Sequence, residues 1–301
     1  MTETNAGWLW LWGRCGVIIF FVISGYVIPL SLARNVYRIT DFWRFILKRM
    51  IRLYPAFLAV TAFVIFLVAF KNLIGKPAPP YPSLGQLLGN LALTPAAFGQ
   101  PYLVSIFWTL TVEWQYYLMI ALLYPLLAGG KRSSRWLILG AMLVCPHLPL
   151  PSLAVLPWLP CFAVGMSFWL CRTSLLSLVE VLVLTGLGIC SYSLKHGWAS
   201  GLASLLFLPL VLLPFEGMRF KGLAVFLGAI SYPLYLLHIP VGDEISVRAW
   251  HWLGYGRTGA WAQALLILVV SLACAWLLYR TVDQTATRLS SQYRLRVTAR
   301  L

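Results

Sequence analysis

A bundle of transmembrane α-helices is the fold class that the sequence predicts, on three observations. Of the 301 residues, 60% are hydrophobic and only 10% are charged, with a mean hydropathy of +0.82. A soluble domain carries about 25% charged residues, and this chain has too few polar side chains to cover a surface in water. The apolar runs are also much longer than the roughly 10-residue strands of a membrane barrel. The composition therefore excludes an ordinary soluble enzyme and a disordered chain.

Nine apolar stretches are long enough to cross, or nearly cross, a bilayer. They are 8–31, 53–70, 104–128, 136–150, 155–171, 175–194, 198–214, 222–241 and 259–281. The fourth stretch is the weakest, because Pro146, Pro149 and Pro151 interrupt it early. We treat residues 1–301 as a single integral-membrane domain of about nine spans.

The distribution of Lys and Arg predicts the orientation of the spans, because loops rich in these residues stay in the cytoplasm. The loops on one side of the membrane hold 17 of the 23 basic residues, and the loops on the other side hold five. This asymmetry places loop 32–52 and the C-terminal tail in the cytoplasm. The net charge of +15 then reflects topology and contact with anionic lipid rather than nucleic acid. The N-terminus falls outside without a signal peptide, so we expect one further helix before residue 1.

The cysteines and histidines do not indicate a metal centre. No two of the six cysteines form CxxC, and most of them lie inside apolar runs, as small buried hydrophobic residues do. No spacing of His, Cys and carboxylate residues is typical of metal ligation. We therefore expect neither a disulfide framework nor a metal cofactor.

Glu113 lies in the middle of the third predicted span, where an ionisable group is a functional candidate by default. Helical spacing places Thr109, Tyr116 and Tyr117 on the same side of the helix. A carboxylate with hydroxyl neighbours can act as a general base or proton relay; the alternative is a structural group hydrogen-bonded between helices. Glu180, a lone acid in the sixth span, is predicted to be structural.

His238 lies near the outer end of the eighth predicted span and shares a helix face with Tyr235 and Ser231. An imidazole that titrates near neutrality can move protons, and a packed, satisfied histidine is the alternative. Glu113, Tyr235 and His238 are the candidate catalytic residues.

Arg49 and Arg52 are the candidates for binding an anion. They lie three residues apart in the basic loop, so a helical turn directs both guanidinium groups the same way at the cytoplasmic surface. Arginine holds phosphate through two hydrogen bonds at once. Anchoring to lipid head groups is the alternative interpretation.

Four segments follow one another between residues 16 and 240. They read GVIIFFVISGYVI (Gly16–Ile28), RMIRLYP (Arg49–Pro55), WTLTVEWQYY (Trp108–Tyr117) and SYPLYLLH (Ser231–His238). Together they resemble the signature segments of the acyltransferase 3 family, integral-membrane enzymes that O-acetylate bacterial surface sugars. Tyr279–Asp283 is loosely similar to the last helix of that family.

The resemblance implies about ten helices, a multi-pass location in the inner membrane, and acyl-CoA, above all acetyl-CoA, as donor. The acceptor would be a hydroxyl of a cell-surface glycan, an exopolysaccharide or a lipid-linked sugar. Arg49 and Arg52 would then hold the donor. The first family helix normally carries an Arg and a catalytic His, but no His precedes His147 here, and Ile18 stands where many members have Asp.

Two other functions stay open at the level of the sequence. A transporter or flippase for an anionic or lipid-linked glycan is compatible with a buried Glu113 and with helices interrupted by Gly and Pro, although no inverted repeat is visible. An inactive acyltransferase homologue would explain the missing histidine. The expected partners are the lipid bilayer, acyl-CoA and a glycan, without nucleic acid.

Overall fold

The structure is a computed structural model that describes residues 3–150, 153–198, 221–253 and 256–293. Within these ranges the regular elements are helices, and six of them are long and apolar enough to cross a membrane. This confirms the predicted all-α transmembrane bundle. The predicted seventh span, 198–214, lies outside the described residues except for its first position.

The described part of the chain contains ten α-helices. They are α1 (Glu3–Arg34), α2 (Phe42–Leu73), α3 (Leu84–Leu91), α4 (Trp108–Gly129), α5 (Arg132–Val144), α6 (Leu159–Arg172), α7 (Leu178–His196), α8 (Lys221–Leu253), α9 (Arg257–Leu278) and α10 (Gln284–Gln292). A π-helix (Tyr279–Asp283) joins α9 to α10, and a short 3₁₀ turn (Ser105–Phe107) leads into α4.

Two predicted spans form helices shorter than the bilayer core. α5 has 13 residues and α6 has 14, so each is about 20 Å long at 1.5 Å per residue, against about 30 Å of hydrocarbon. α5 ends at Val144 because Pro146 follows it, as predicted. α6 is buried at every position from Leu159 to Leu170, so protein rather than lipid surrounds it.

The chain divides into two compact units, each assembled from separate segments. The first unit contains the described residues 3–45, 111–150 and 153–198, and the second contains 46–110, 221–253 and 256–293. The assignment of residues 1–301 to a single domain stays a prediction.

Glycines allow α1 and α6 to pack closely in the first unit. A Cβ atom on Gly165 would lie 1.9 Å from the carbonyl oxygen of Val22, and one on Gly25 would lie 2.3 Å from that of Phe162. Neither position can accept a side chain without movement of the backbone. The ring of Tyr116 stacks on Phe162 with centroids 3.9 Å apart. Gly25 of the first signature segment is therefore a packing residue.

Glu180 has the structural role that the sequence predicts. Its Oε2 accepts a hydrogen bond of 2.8 Å from the backbone N–H of Ser177, whose hydroxyl in turn caps the first turn of α7. Arg132 Nη2 lies 2.8 Å from Oε2, and Trp136 Nε1 donates to Oε1 at 2.8 Å. The acid thus has both of its oxygens satisfied at a helix N-terminus.

In the second unit, hydroxyl groups attach other helices to α2. The hydrogen bonds run from Tyr232 of α8 to the carbonyl of Leu53 (2.9 Å), from Tyr54 to that of Leu91 in α3 (3.0 Å), and from Ser290 of α10 to that of Lys48 (3.1 Å). α2 is consequently the element around which this unit is ordered.

We predict that Gly165→Ala destabilises the protein by about 1–3 kcal/mol, the usual effect of overpacking, because its Cβ meets a backbone oxygen that cannot turn away. Gly186→Ala in α7 is the matched control, since nothing lies within 4 Å of its Cβ position, and alanine there raises stability by up to about 1 kcal/mol. Thermal unfolding in detergent compares the two. Equal stability of both variants would contradict the close packing of α1 and α6.

Candidate functional site

The five candidate residues fall in both units. Glu113 belongs to the first unit, and Arg49, Arg52, Tyr235 and His238 belong to the second. The second unit by itself therefore holds the predicted anion-binding arginines and two of the three predicted catalytic side chains.

Glu113 is buried in α4, with 5% of its surface exposed. The hydroxyl of Tyr117, one turn later, donates to its Oε1. This contact confirms that the two side chains share a side of the helix, as the spacing predicts. It also shows how the carboxyl group is accommodated in an apolar helix. Its role as a base or as a structural group stays a prediction.

Arg52 forms an ion pair with Asp283 inside the second unit. Arg52 Nη1 lies 2.6 Å from Asp283 Oδ1; the carboxylate is 0% exposed and the arginine side chain 27% exposed. The guanidinium group also lies over the ring of Tyr232, 5.3 Å from its centroid. Arg52 is thus fixed on one side while part of its side chain stays exposed.

Asp283 is the site residue that sequence reasoning missed. It ends the π-helix, and such irregular turns are frequent at functional sites. Its Oδ2 is buried and has no hydrogen-bond partner among the described residues. The available signal was an acid two residues beyond the predicted span 259–281, a position where an acid needs a cation nearby.

Arg49 lies one turn before Arg52 in α2 and is half-buried. Both residues belong to one continuous helix, so the predicted spacing on adjacent turns is confirmed. Their binding of a phosphate group stays a prediction.

Tyr235 and His238 form a polar cluster with Thr109. The hydroxyls of Tyr235 and Thr109 are 2.6 Å apart, and His238 Nδ1 lies 2.7 Å from the carbonyl oxygen of Tyr235. A carbonyl oxygen can only accept, so this contact assigns the hydrogen of a neutral imidazole to Nδ1 and leaves Nε2 as a proton acceptor. Ser231 lies outside the cluster: its hydroxyl is exposed and donates to the carbonyl of Gly228.

A comparison with protein families identifies the family to which this chain belongs. The sequence model of Acyl_transf_3, described as an acyltransferase domain, matches residues 2–280. The chain belongs to the acyltransferase 3 family. The match includes all four signature segments, so the resemblance drawn from them is confirmed. No curated protein and no solved structure matches the chain significantly.

The acyltransferase domain brings two of its signature segments into direct contact. Tyr232 of SYPLYLLH donates to the carbonyl of Leu53 in RMIRLYP, and its ring lies under Arg52 of the same segment. The chain is a multi-pass membrane protein of an acyltransferase family. Its Arg49 and Arg52 thus lie on a helix that contacts the helix of His238.

We predict that Arg52→Met destabilises the protein by about 3 kcal/mol, because a buried carboxylate without its partner is strongly unfavourable. The double variant Arg52→Met/Asp283→Leu recovers most of this loss. Arg248→Met is the matched control: Arg248 is exposed and pairs with Glu244 at 3.4 Å, where an ion pair contributes about 0.5 kcal/mol. Unfolding in detergent measures all three. Equal losses of stability in Arg52→Met and Arg248→Met would contradict the structural importance of the buried ion pair.

Proposed function

We propose that the chain transfers an acyl group, in the simplest case acetyl, from acyl-CoA to a hydroxyl of a cell-surface glycan at the bacterial inner membrane. The observation that carries the proposal is the packing of RMIRLYP against SYPLYLLH in the second unit. A cation suited to phosphate and a histidine suited to accept a proton thereby lie on the same pair of helices.

The spacing along α8 suits a single bound donor. Tyr232, beside Arg52, and His238 are six residues apart, which is about 9 Å along a helix axis. The flexible pantetheine arm of CoA is longer than this distance. Phosphates held by the arginines and a thioester near His238 are therefore compatible with one molecule.

The arginines hold the donor in this scheme. The charge asymmetry of the loops predicts that Arg49 and Arg52 lie at the cytoplasmic side, where CoA is available. Asp283 acts as a positioning residue, because its ion pair restricts the rotamers of Arg52 before the donor arrives. A pre-oriented guanidinium group loses less entropy on binding than a free one.

His238 is the proposed base. Its Nε2 takes the proton of the sugar hydroxyl while the hydroxyl oxygen attacks the thioester carbonyl. The new C–O ester bond forms, the C–S bond breaks, and the CoA thiolate leaves and takes up the proton. The Thr109 hydroxyl donates to the carbonyl of Ile106 at 3.0 Å, so the hydrogen between it and the Tyr235 hydroxyl, 2.6 Å away, belongs to Tyr235. When the donor binds, Tyr235 turns this hydrogen from Thr109 to the oxyanion that develops on the carbonyl. His238 would thus perform the task for which the family uses a histidine of its first helix.

We expect Arg49→Gln and Arg52→Lys to raise the KM for acyl-CoA about tenfold each, or about 1.4 kcal/mol of donor binding. Lysine keeps the charge beside Asp283, so the fold persists, but it lacks the planar fork that binds phosphate through two bonds. Thioester loss in the purified protein measures the effect. Arg288→Gln, an exposed residue of α10, serves as control. Unchanged donor kinetics in both variants would overturn the donor site.

We expect His238→Gln to lower kcat about 10²- to 10⁴-fold, the usual contribution of a general base, as measured by thioester loss with a glycan acceptor. The control is His147→Gln, because His147 is exposed and its side chain forms a hydrogen bond with Ser191. Glu113→Gln is measured in parallel: if it lowers kcat to this extent and His238→Gln does not, the base is Glu113 and the assignment to His238 is wrong.

A further inference from the structure

A groove of about 380 Å³ opens in the second unit, toward the end of α8 that lies away from Tyr232. Its polar lining consists of Lys71 of α2, Ser105, and Asp243 and Glu244 of α8; apolar side chains, Leu103 and Pro240 among them, complete it. The volume falls within the range of about 300–1,000 Å³ that small-molecule sites occupy. The predicted orientation of the spans places this end of α8 on the outer side of the membrane.

One end of the groove adjoins the proposed base. Ile239, which follows His238 directly, lines the groove, and Ser105 lines it one turn before Thr109. This end of the groove is thus formed by α8, which also carries Tyr235 and His238, and by the 3₁₀ turn that leads directly into the α4 residue Thr109. A ligand in the groove would lie within one helical turn of His238 and Thr109.

A buried side chain fixes the wall of the groove that Leu103 forms. Asn90 is 1% exposed; its Oδ1 accepts from the backbone N–H of Leu103 at 3.0 Å, and its Nδ2 donates to the carbonyl of Pro101 at 3.1 Å. This wall is held in place before any ligand binds, which favours affinity and selectivity.

The positive and negative side chains that line the groove do not cancel. Within the lining, Lys71 is paired with Glu244, so these two charges cancel. Arg248, 3.4 Å from Glu244, lies outside the lining. Asp243 is exposed and makes no ion pair or hydrogen bond with the described residues. The groove therefore presents one uncompensated carboxylate.

We propose that this groove binds the acyl acceptor and that Asp243 selects a neutral, polyhydroxylated sugar over an acidic one. The proposal rests on the proposed acyl transfer and adds the substrate class. A carboxylate accepts hydrogen bonds from neighbouring sugar hydroxyls, Ser105 both donates and accepts, and the apolar lining contacts the C–H faces of a ring. A uronic acid or a sugar phosphate would instead meet a like charge, which is unfavourable at a binding site.

The test measures binding of two trisaccharides to the purified full chain, the neutral maltotriose and the anionic trigalacturonic acid. We expect maltotriose to bind at least about tenfold more tightly, which corresponds to about 1.4 kcal/mol. Asp243→Asn narrows the difference between the two sugars, and Asp243→Lys reverses it. Val247→Lys is the control matched in charge to Asp243→Asn, because Val247 is on the same helix, 72% exposed and outside the groove lining.

Equal affinity for the two sugars, binding of neither, or an equal effect of Asp243→Asn and Val247→Lys would overturn the proposal. Adding acetyl-CoA separates this outcome from the failure of the proposed function. If maltotriose binds as expected but is not acetylated, the acyl transfer is wrong and the groove stands. If a sugar is acetylated equally by the wild type and by Asp243→Lys, the groove is wrong and the acyl transfer stands.

Discussion

The ion pair between Arg52 and Asp283 is the interaction on which the second unit depends. A carboxylate removed from water loses hydration worth several kcal/mol, about what a well-placed cation returns, and Asp283 is 0% exposed. The pair joins α2 to the π-helix, and the ring and hydroxyl of Tyr232 attach α8 to the same place. One buried acid therefore connects these three elements through Arg52, and Arg52 is one of the two arginines of the signature segment RMIRLYP.

Helix α8 carries the three proposed stages of the reaction in sequence. Tyr232 lies at Arg52, Tyr235 and His238 form the polar cluster with Thr109, and Asp243 lies in the groove. From Tyr232 to Asp243 the helix rises about 17 Å, at 1.5 Å per residue. Pro240 removes one backbone donor between the cluster and the groove. The carbonyl that loses this donor is that of Leu236, which lies between Tyr235 and His238 along the chain.

The sequence predicts the helices, the signature segments and the structural role of Glu180, because each of these follows from local pattern. Hydropathy shows that a segment avoids water, but it does not show whether lipid or protein surrounds the segment. The sequence therefore predicts an ordinary span for α6, although this helix is short and is buried in protein from Leu159 to Leu170. Local sequence pattern also does not show which charged residues form ion pairs with each other. Arg52 and Asp283 are 231 positions apart, and Lys71 and Glu244 are 173 apart. Composition shows that a buried acid needs a cation, but only the fold shows which cation.

The charges along α8 favour acyl transfer over transport of an anionic glycan. Between Lys221 and Asp243 this helix contains no Asp, Glu, Lys or Arg, and its one histidine is His238. An anion travelling along this face would leave Arg52, pass a stretch with a single imidazole, and then meet the uncompensated Asp243. Ions in such surroundings require compensating charge at each step. An acyl group is neutral and needs none, so the same arrangement suits a donor whose phosphates stay at the arginines while only its acyl carbon reaches the histidine and the groove.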